Sequence, residues 1–205
     1  MGDYEVQALF AEPIFRMGMG NVITEKQVEF IKSLKMIRNP TNLISENKYI
    51  FELPELRSIK DGVQQALDVF AKEVMGIPQR LYVTQSWSLI NEPRAGMHTH
   101  AHSNSIASGS LYYTEMPEPP ARMIFHRHRT HQQIDLQPEG EAKNIYNTPI
   151  NVITPKRNEV VLFASDLTHM VEDNSAGQVR YSIAFNTFVR GKLGGYRNVS
   201  ELVLG

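Results

Sequence analysis

The chain has no cysteine. That excludes a disulfide framework, thiolate metal sites and a cysteine nucleophile, so any metal has to be held by His, Asp or Glu. No apolar stretch approaches the roughly 18 residues that a membrane-crossing helix needs. The first residues, Met1 to Phe15, carry Asp3, Glu5 and Glu12 rather than a basic region ahead of an apolar run, which is not the pattern of an export signal. Charge of one sign is also missing: 21 basic residues stand against 22 acidic ones, a formal net charge of -1. Nucleic-acid and membrane-surface binding rest on a cationic field, so neither is expected. There is no internal repeat and no low-complexity linker. These absences fit an unexported protein with small or uncharged partners and are compatible with the cytoplasm; a cytoplasmic protein with a small-molecule or peptide substrate, and a homodimer, are the expectations.

What is present is enough apolar residue, 41% of 205, for one well-buried core and therefore one domain over 1–205. Its first part, 1–79, reads as a strand and two helices. Leu9–Phe15 is short, apolar and broken by Pro13, as an edge strand is. Thr24 with Gln27 three residues on forms a capping box, and Val28, Ile31 and Leu34 follow at helical spacing. After Pro54, Ile59, Val63, Leu67, Phe70 and Val74 recur every three to four residues as one apolar stripe, closed by Gly76 and Pro78. From Arg80 the period becomes two. Leu81, Val83, Trp87, Leu89 and Asn91 share one parity, and further short strands are expected over 106–113, 122–125, 152–154, 159–163, 168–172 and 180–189. Helices followed by many short strands make a mainly β (α+β) protein, an antiparallel sandwich or barrel with the helices packed outside. Met116 to Asn151, rich in proline, reads as a long hairpin or insertion of the kind that carries function.

Three of the seven histidines, His98, His100 and His102, stand at alternate positions. In an extended segment they would face one way, which is metal-site geometry; a solvated histidine cluster is the plain alternative. Farther on come His169 and then Arg180-Tyr-Ser182-Ile-Ala-Phe-Asn186, a strand with Arg180, Ser182, Ala184 and Asn186 on one face and Tyr181, Ile183 and Phe185 on the other. An arginine on such a strand must reach solvent or meet an anion, because burying the charge unpaired is costly. A ligand carboxylate or an internal salt bridge would serve.

The order His-x-His, some 65 residues, His, then Arg-x-Ser resembles the Fe(II)- and 2-oxoglutarate-dependent oxygenases. The resemblance rests on His100–Tyr113, Val160–Val171 and Arg180–Asn186, with Leu9–Phe15 similar to the family's start. It implies a double-stranded β-helix (jelly roll) with the two N-terminal helices packed on its major sheet. It further implies His100, His102 and His169 as metal ligands for Fe(II), and Arg180 and Ser182 as binders of the far carboxylate of 2-oxoglutarate, with Asn91 and Tyr112 as further cosubstrate contacts. His98 would stand behind the ligands or at the entrance. The implied activity is a dioxygenase that hydroxylates its substrate while 2-oxoglutarate becomes succinate and CO2.

One departure concerns charge. The usual triad is two histidines and a carboxylate, and the acidic position is here His102, so the site is one negative charge short and zinc, nickel or copper compete better with iron. Ligand sets using His98 with His100, or Asp166 or Glu92, are alternatives. Ala164 stands where proline is common. A cupin would place glutamate at Ser105 or Ile106, and a non-catalytic metal- or ligand-binding jelly roll is the remaining reading. The run His126-Arg-His128-Arg-Thr-His131 is expected either as a solvated loop or strand end, or as a rim facing an anionic or polar substrate.

Overall fold

The computed structural model describes residues 3–127 and 140–204. After strand β1 (Phe15–Gly18), helix α1 (Glu25–Lys32) begins at Thr24, whose hydroxyl accepts from Gln27 N–H at 3.3 Å while the Gln27 side chain accepts from Thr24 N–H at 3.0 Å. The expected capping box is therefore formed, satisfying two helix-end donors. A hairpin of β2 (Met36–Arg38) and β3 (Leu43–Ser45) leads to α2 (Arg57–Val69), which continues as one π turn over Phe70–Val74. Gly76 closes it at φ +63°, a backbone region that a side chain disfavours. The remaining strands are β4 (Leu81–Asn91), β5 (Met97–His100), β6 (Ala107–Tyr112), β7 (Met123–His126), β8 (Ile150–Ile153), β9 (Glu159–Ala164), β10 (His169–Val171), β11 (Arg180–Val189), β12 (Gly191–Leu193) and β13 (Leu202–Leu204).

Two antiparallel sheets form a double-stranded β-helix. The major sheet runs β1-β9-β6-β11-β4-β3-β2, the minor one β5-β10-β7-β8, and β12 and β13 pair as a separate hairpin. Both helices lie on the outer face of the major sheet, where Val28, Ile31, Ile59, Val63 and Leu67 bury against Leu81, Leu111, Leu162, Ile183 and Phe185. Full burial of side chains of this size contributes about 1.5–3 kcal/mol each, which makes this layer the main hydrophobic core. Gly109 lets Phe185 cross β6 closely, since a Cβ there would lie 2.3 Å from the ring. Between the sheets a smaller apolar cluster of Tyr112, Met123, Phe125, Val161, Phe163 and Leu167 fills one part of the sandwich, and the rest is a pocket.

Three expectations from the sequence need correction. Leu9–Phe15 is not a strand: β1 starts only at Phe15, and Leu9 and Phe10 are exposed, because no neighbouring strand reaches them. Val74 leaves the buried stripe of α2 because the π turn changes the helical phase. On β4 the shared parity breaks at a bulge. Asn186 pairs with Gln85 but Thr187 pairs with Val83, so Thr84 is the extra residue. Leu81 and Val83 consequently face the helices, while Trp87, Leu89 and Asn91 line the pocket. The other expected strands form within two residues of their expected ends, and β7 pairs antiparallel with β8 across the stretch read as a long hairpin or insertion.

Candidate metal and anion site

His100 ends β5 and His169 begins β10, and the two residues are direct cross-strand partners. His102 lies two residues past β5, where its backbone N–H donates to Ser165 O at 2.8 Å. This pairing brings together imidazoles that are far apart in sequence. Ring centroids are 4.4 Å apart for His100 and His169, 5.0 Å for His100 and His102, and 5.2 Å for His102 and His169. One nitrogen from each ring lies within 4.8 Å of the others, so the three could hold one metal ion.

Two tautomers are set by the backbone. His100 Nδ1 is 2.7 Å from the His98 carbonyl and His169 Nδ1 is 2.9 Å from that of Leu167. A carbonyl only accepts, so each Nδ1 carries the proton and each Nε2 keeps its lone pair for a ligand. Burial also keeps the rings neutral. It lowers His169 to about 4, partly offset by the Leu167 carbonyl and reinforced by the other histidines, and it lowers His102 to about 4 with His100 adding to the effect. The same desolvation lowers His100.

Under this loop, hydroxyls hold the two His-bearing segments together. Ser165 Oγ bonds Ser108 Oγ at 2.8 Å and Ser105 Oγ at 2.7 Å, and Ser108 Oγ donates to Asn186 Oδ1 at 2.9 Å. Sequence reasoning passed over this network because isolated serines in turns look like turn formers.

At the other side of the pocket, Arg180 opens β11 and is only 2% exposed. Its Nη1 donates to Asn91 Oδ1 at 3.3 Å and its Nη2 to Tyr112 Oη at 2.8 Å, with the guanidinium carbon 4.8 Å from the Tyr112 ring centre. These partners are neutral, and Nε has none among the described residues. Burial raises the Tyr112 phenol while the Arg180 charge opposes that rise, so the hydroxyl stays protonated at neutral pH. Ser182 and Ala184 continue the Arg180 face into the pocket, as the alternation along β11 predicts. Among the described residues no Asp or Glu lines this pocket.

The structure thus brings His100, His102, His169, Arg180, Ser182, Asn91 and Tyr112 to one cavity. It does not bring in the alternatives. Glu92 is exposed and pairs with Arg38 at 3.1 Å, and Asp166 is exposed. His98 is exposed too; its ring centre lies 5.3 Å from that of His100 but it is not one of the three converging rings, and its carbonyl meets His100 Nδ1. His126 ends β7 half-buried, where its backbone N–H donates to Thr168 O at 2.9 Å; His128 and His131 lie outside the described residues. Residues absent from the sequence reading also line the pocket, among them Asn42, Met97 and Phe163. Of the three only Phe163 lay on a strand expected from the sequence, 159–163.

A family model described as "Putative 2OG-Fe(II) oxygenase" matches residues 85–186, a span that runs from β4 to β11 and contains every site residue named from the sequence. No curated protein matches the sequence. Among solved structures, the α-ketoglutarate-dependent carbocyclase SnoK of nogalamycin biosynthesis is 17% identical with TM-score 0.59, covering 88% of this chain and 81% of its own. HygX from Streptomyces hygroscopicus, solved with nickel, 2-oxoglutarate and hygromycin B, is 12% identical with TM-score 0.57 (86% and 82% covered). A Pseudomonas putida prolyl-4-hydroxylase is 11% identical with TM-score 0.58 (86% and 94% covered). Identities this low speak for the fold alone; the family match over residues 85–186 supports a 2OG-Fe(II) oxygenase family for this fold.

Proposed function

We propose that the protein is an Fe(II)- and 2-oxoglutarate-dependent dioxygenase that hydroxylates a small-molecule or peptide substrate. The observation that carries this reading is a buried arginine with only neutral partners in the same pocket as three converging imidazoles. A buried guanidinium costs several kcal/mol unless an anion meets it, so the pocket is built to receive one. His100, His102 and His169 would hold the metal, and Arg180 with Ser182 would hold the far carboxylate of 2-oxoglutarate. The donor set fits such a metal in softness, and the two backbone carbonyls present both Nε2 lone pairs without any prior proton loss.

When bound, the metal would supply the oxidising chemistry with 2-oxoglutarate and dioxygen, one oxygen atom ending in succinate as CO2 leaves and the other in the hydroxylated substrate. The chain's own contribution is placement. Arg180 fixes the far end of the cosubstrate by charge-assisted hydrogen bonds, Asn91 and Tyr112 hold Arg180 in place, and Phe163, Met97 and Trp87 keep the space between dry. The three imidazoles, neutral at pH 7, bring no negative charge, so the anionic cosubstrate itself compensates the metal.

The test is turnover by the iron-loaded protein: 2-oxoglutarate-dependent formation of succinate, either coupled to a substrate or uncoupled. A second reading, a metal- or ligand-binding jelly roll without catalysis, is favoured by the missing carboxylate at His102. Iron bound at one per chain with no succinate from any candidate substrate would decide for it. A cupin reading lacks its acid, since Ser105 and Ile106 occupy those positions.

A further inference from the structure

Asn42 lies in the turn between β2 and β3, outside the segment that matches the family. It is only 1% exposed and lines the pocket. Its Oδ1 accepts from Asn39 Nδ2 at 3.0 Å, which orients the amide and leaves Nδ2 as a donor; that Nδ2 is buried with no partner among the described residues. A buried donor without a partner is destabilising, so it needs a reason.

Strand register supplies one. Leu43 pairs with Ile90 and Ile44 with Leu89, so extending that ladder by one residue sets Asn42 beside Asn91, and Asn91 itself pairs with Arg180. Partners across antiparallel strands share a face. Asn42, Asn91 and Arg180 therefore form one row across β3, β4 and β11 on the pocket side. The row contains two orphaned donors, Asn42 Nδ2 and Arg180 Nε, and no acid. Asn91 spends its own amide group on Gly96 O at 3.1 Å, so its Oδ1 serves Arg180 and its Nδ2 is not free.

We propose that Asn42, brought by the N-terminal hairpin, is a further donor to the carboxylate seated at Arg180, and that it makes the pocket select dicarboxylic 2-oxo acids over monocarboxylic ones. This rests on the reading of Arg180 as the anion-binding residue. A dicarboxylic 2-oxo acid presents a second carboxylate to the row, whereas 2-oxobutyrate has only the chelating end and gives Asn42 nothing to bind.

The test is calorimetric titration of the nickel-loaded protein, nickel standing in as a redox-inert ion, with 2-oxoglutarate and with 2-oxobutyrate. Asn42→Ala is expected to weaken 2-oxoglutarate roughly tenfold and to leave 2-oxobutyrate within about twofold, the loss of one hydrogen bond to a charged group. Asn42→Asp keeps the shape and the acceptor for Asn39 but turns the donor into an anion, and is expected to weaken 2-oxoglutarate further. Ligand-free melting of both variants reports whether they fold. Unchanged 2-oxoglutarate affinity in both variants, with Arg180→Ala still losing it, overturns the role of Asn42 alone. Equal losses for both acids also overturn it, since the residue would then act on the chelating end or on folding. If Arg180→Ala binds 2-oxoglutarate normally, the function proposed above falls first.

Discussion

The two ends of the pocket are built in opposite ways. The histidine end uses strand termini and a loop: His100 ends β5, His169 begins β10, and His102 stands beyond the ladder, held by backbone and by serine hydroxyls. Its groups are neutral. The arginine end lies within the major sheet, on three hydrogen-bonded strands, and carries the only buried charge that faces the pocket among the described residues. The first end is set by hydrogen bonds around neutral rings. The second is fixed before any ligand arrives, and its unpaired donors are a standing cost that a carboxylate would relieve.

The largest effect expected from breaking this contrast is at the histidine end. His169→Ala removes a ligand whose partner rings cannot reach across the gap, and should lower metal affinity at least about 100-fold, measured by equilibrium dialysis with elemental analysis. Unchanged metal content would remove His169 from the ligand set. Next is His102→Asp, which supplies the missing negative charge. Fe(II) should then be retained on the order of tenfold more tightly than in the wild type, and its competition with zinc should improve.

A third expectation concerns pH. His102 and His169 are held near 4, below the ordinary value of 6.5, so the unfolded chain binds protons first. Stability of the metal-free protein is then full above about pH 6.5 and falls as pH drops toward 4, by roughly 3 kcal/mol for His169 as an upper figure. Urea unfolding at pH 7.5, 5.5 and 4.5 measures it, and a flat profile would contradict the burial of neutral rings. The smallest effect is Ser165→Ala, which deletes the link between Ser105 and Ser108. A loss of about 1–2 kcal/mol is expected, read as a fall of a few degrees in the melting midpoint.

The same contrast decided what could be seen in the sequence. Strand β11 was legible down to its faces, because an uninterrupted strand obeys a period of two and puts Arg180 and Ser182 on one side. Strand β4 was legible as a strand but not in its faces, since one bulge at Thr84 inverts everything before it and leaves no mark in the pattern. The spacing of His100, His102 and His169 named the converging rings, yet their tautomers depend on the carbonyls of His98 and Leu167, and every residue has a carbonyl. Asn42 was hidden for another reason. In Asn39-Pro-Thr-Asn42 an asparagine reads as a turn former, and only the register of β3 on β4 turns it toward the pocket.

The claim that both ends serve one ligand is tested most directly by optical titration under anaerobic conditions. Iron(II) with 2-oxoglutarate should give a weak visible charge-transfer band in the wild type. Arg180→Ala should lose the band while still binding one iron per chain. A wild-type protein that holds iron but gives no band, or an Arg180→Ala variant whose band titrates as the wild type does, would contradict the account.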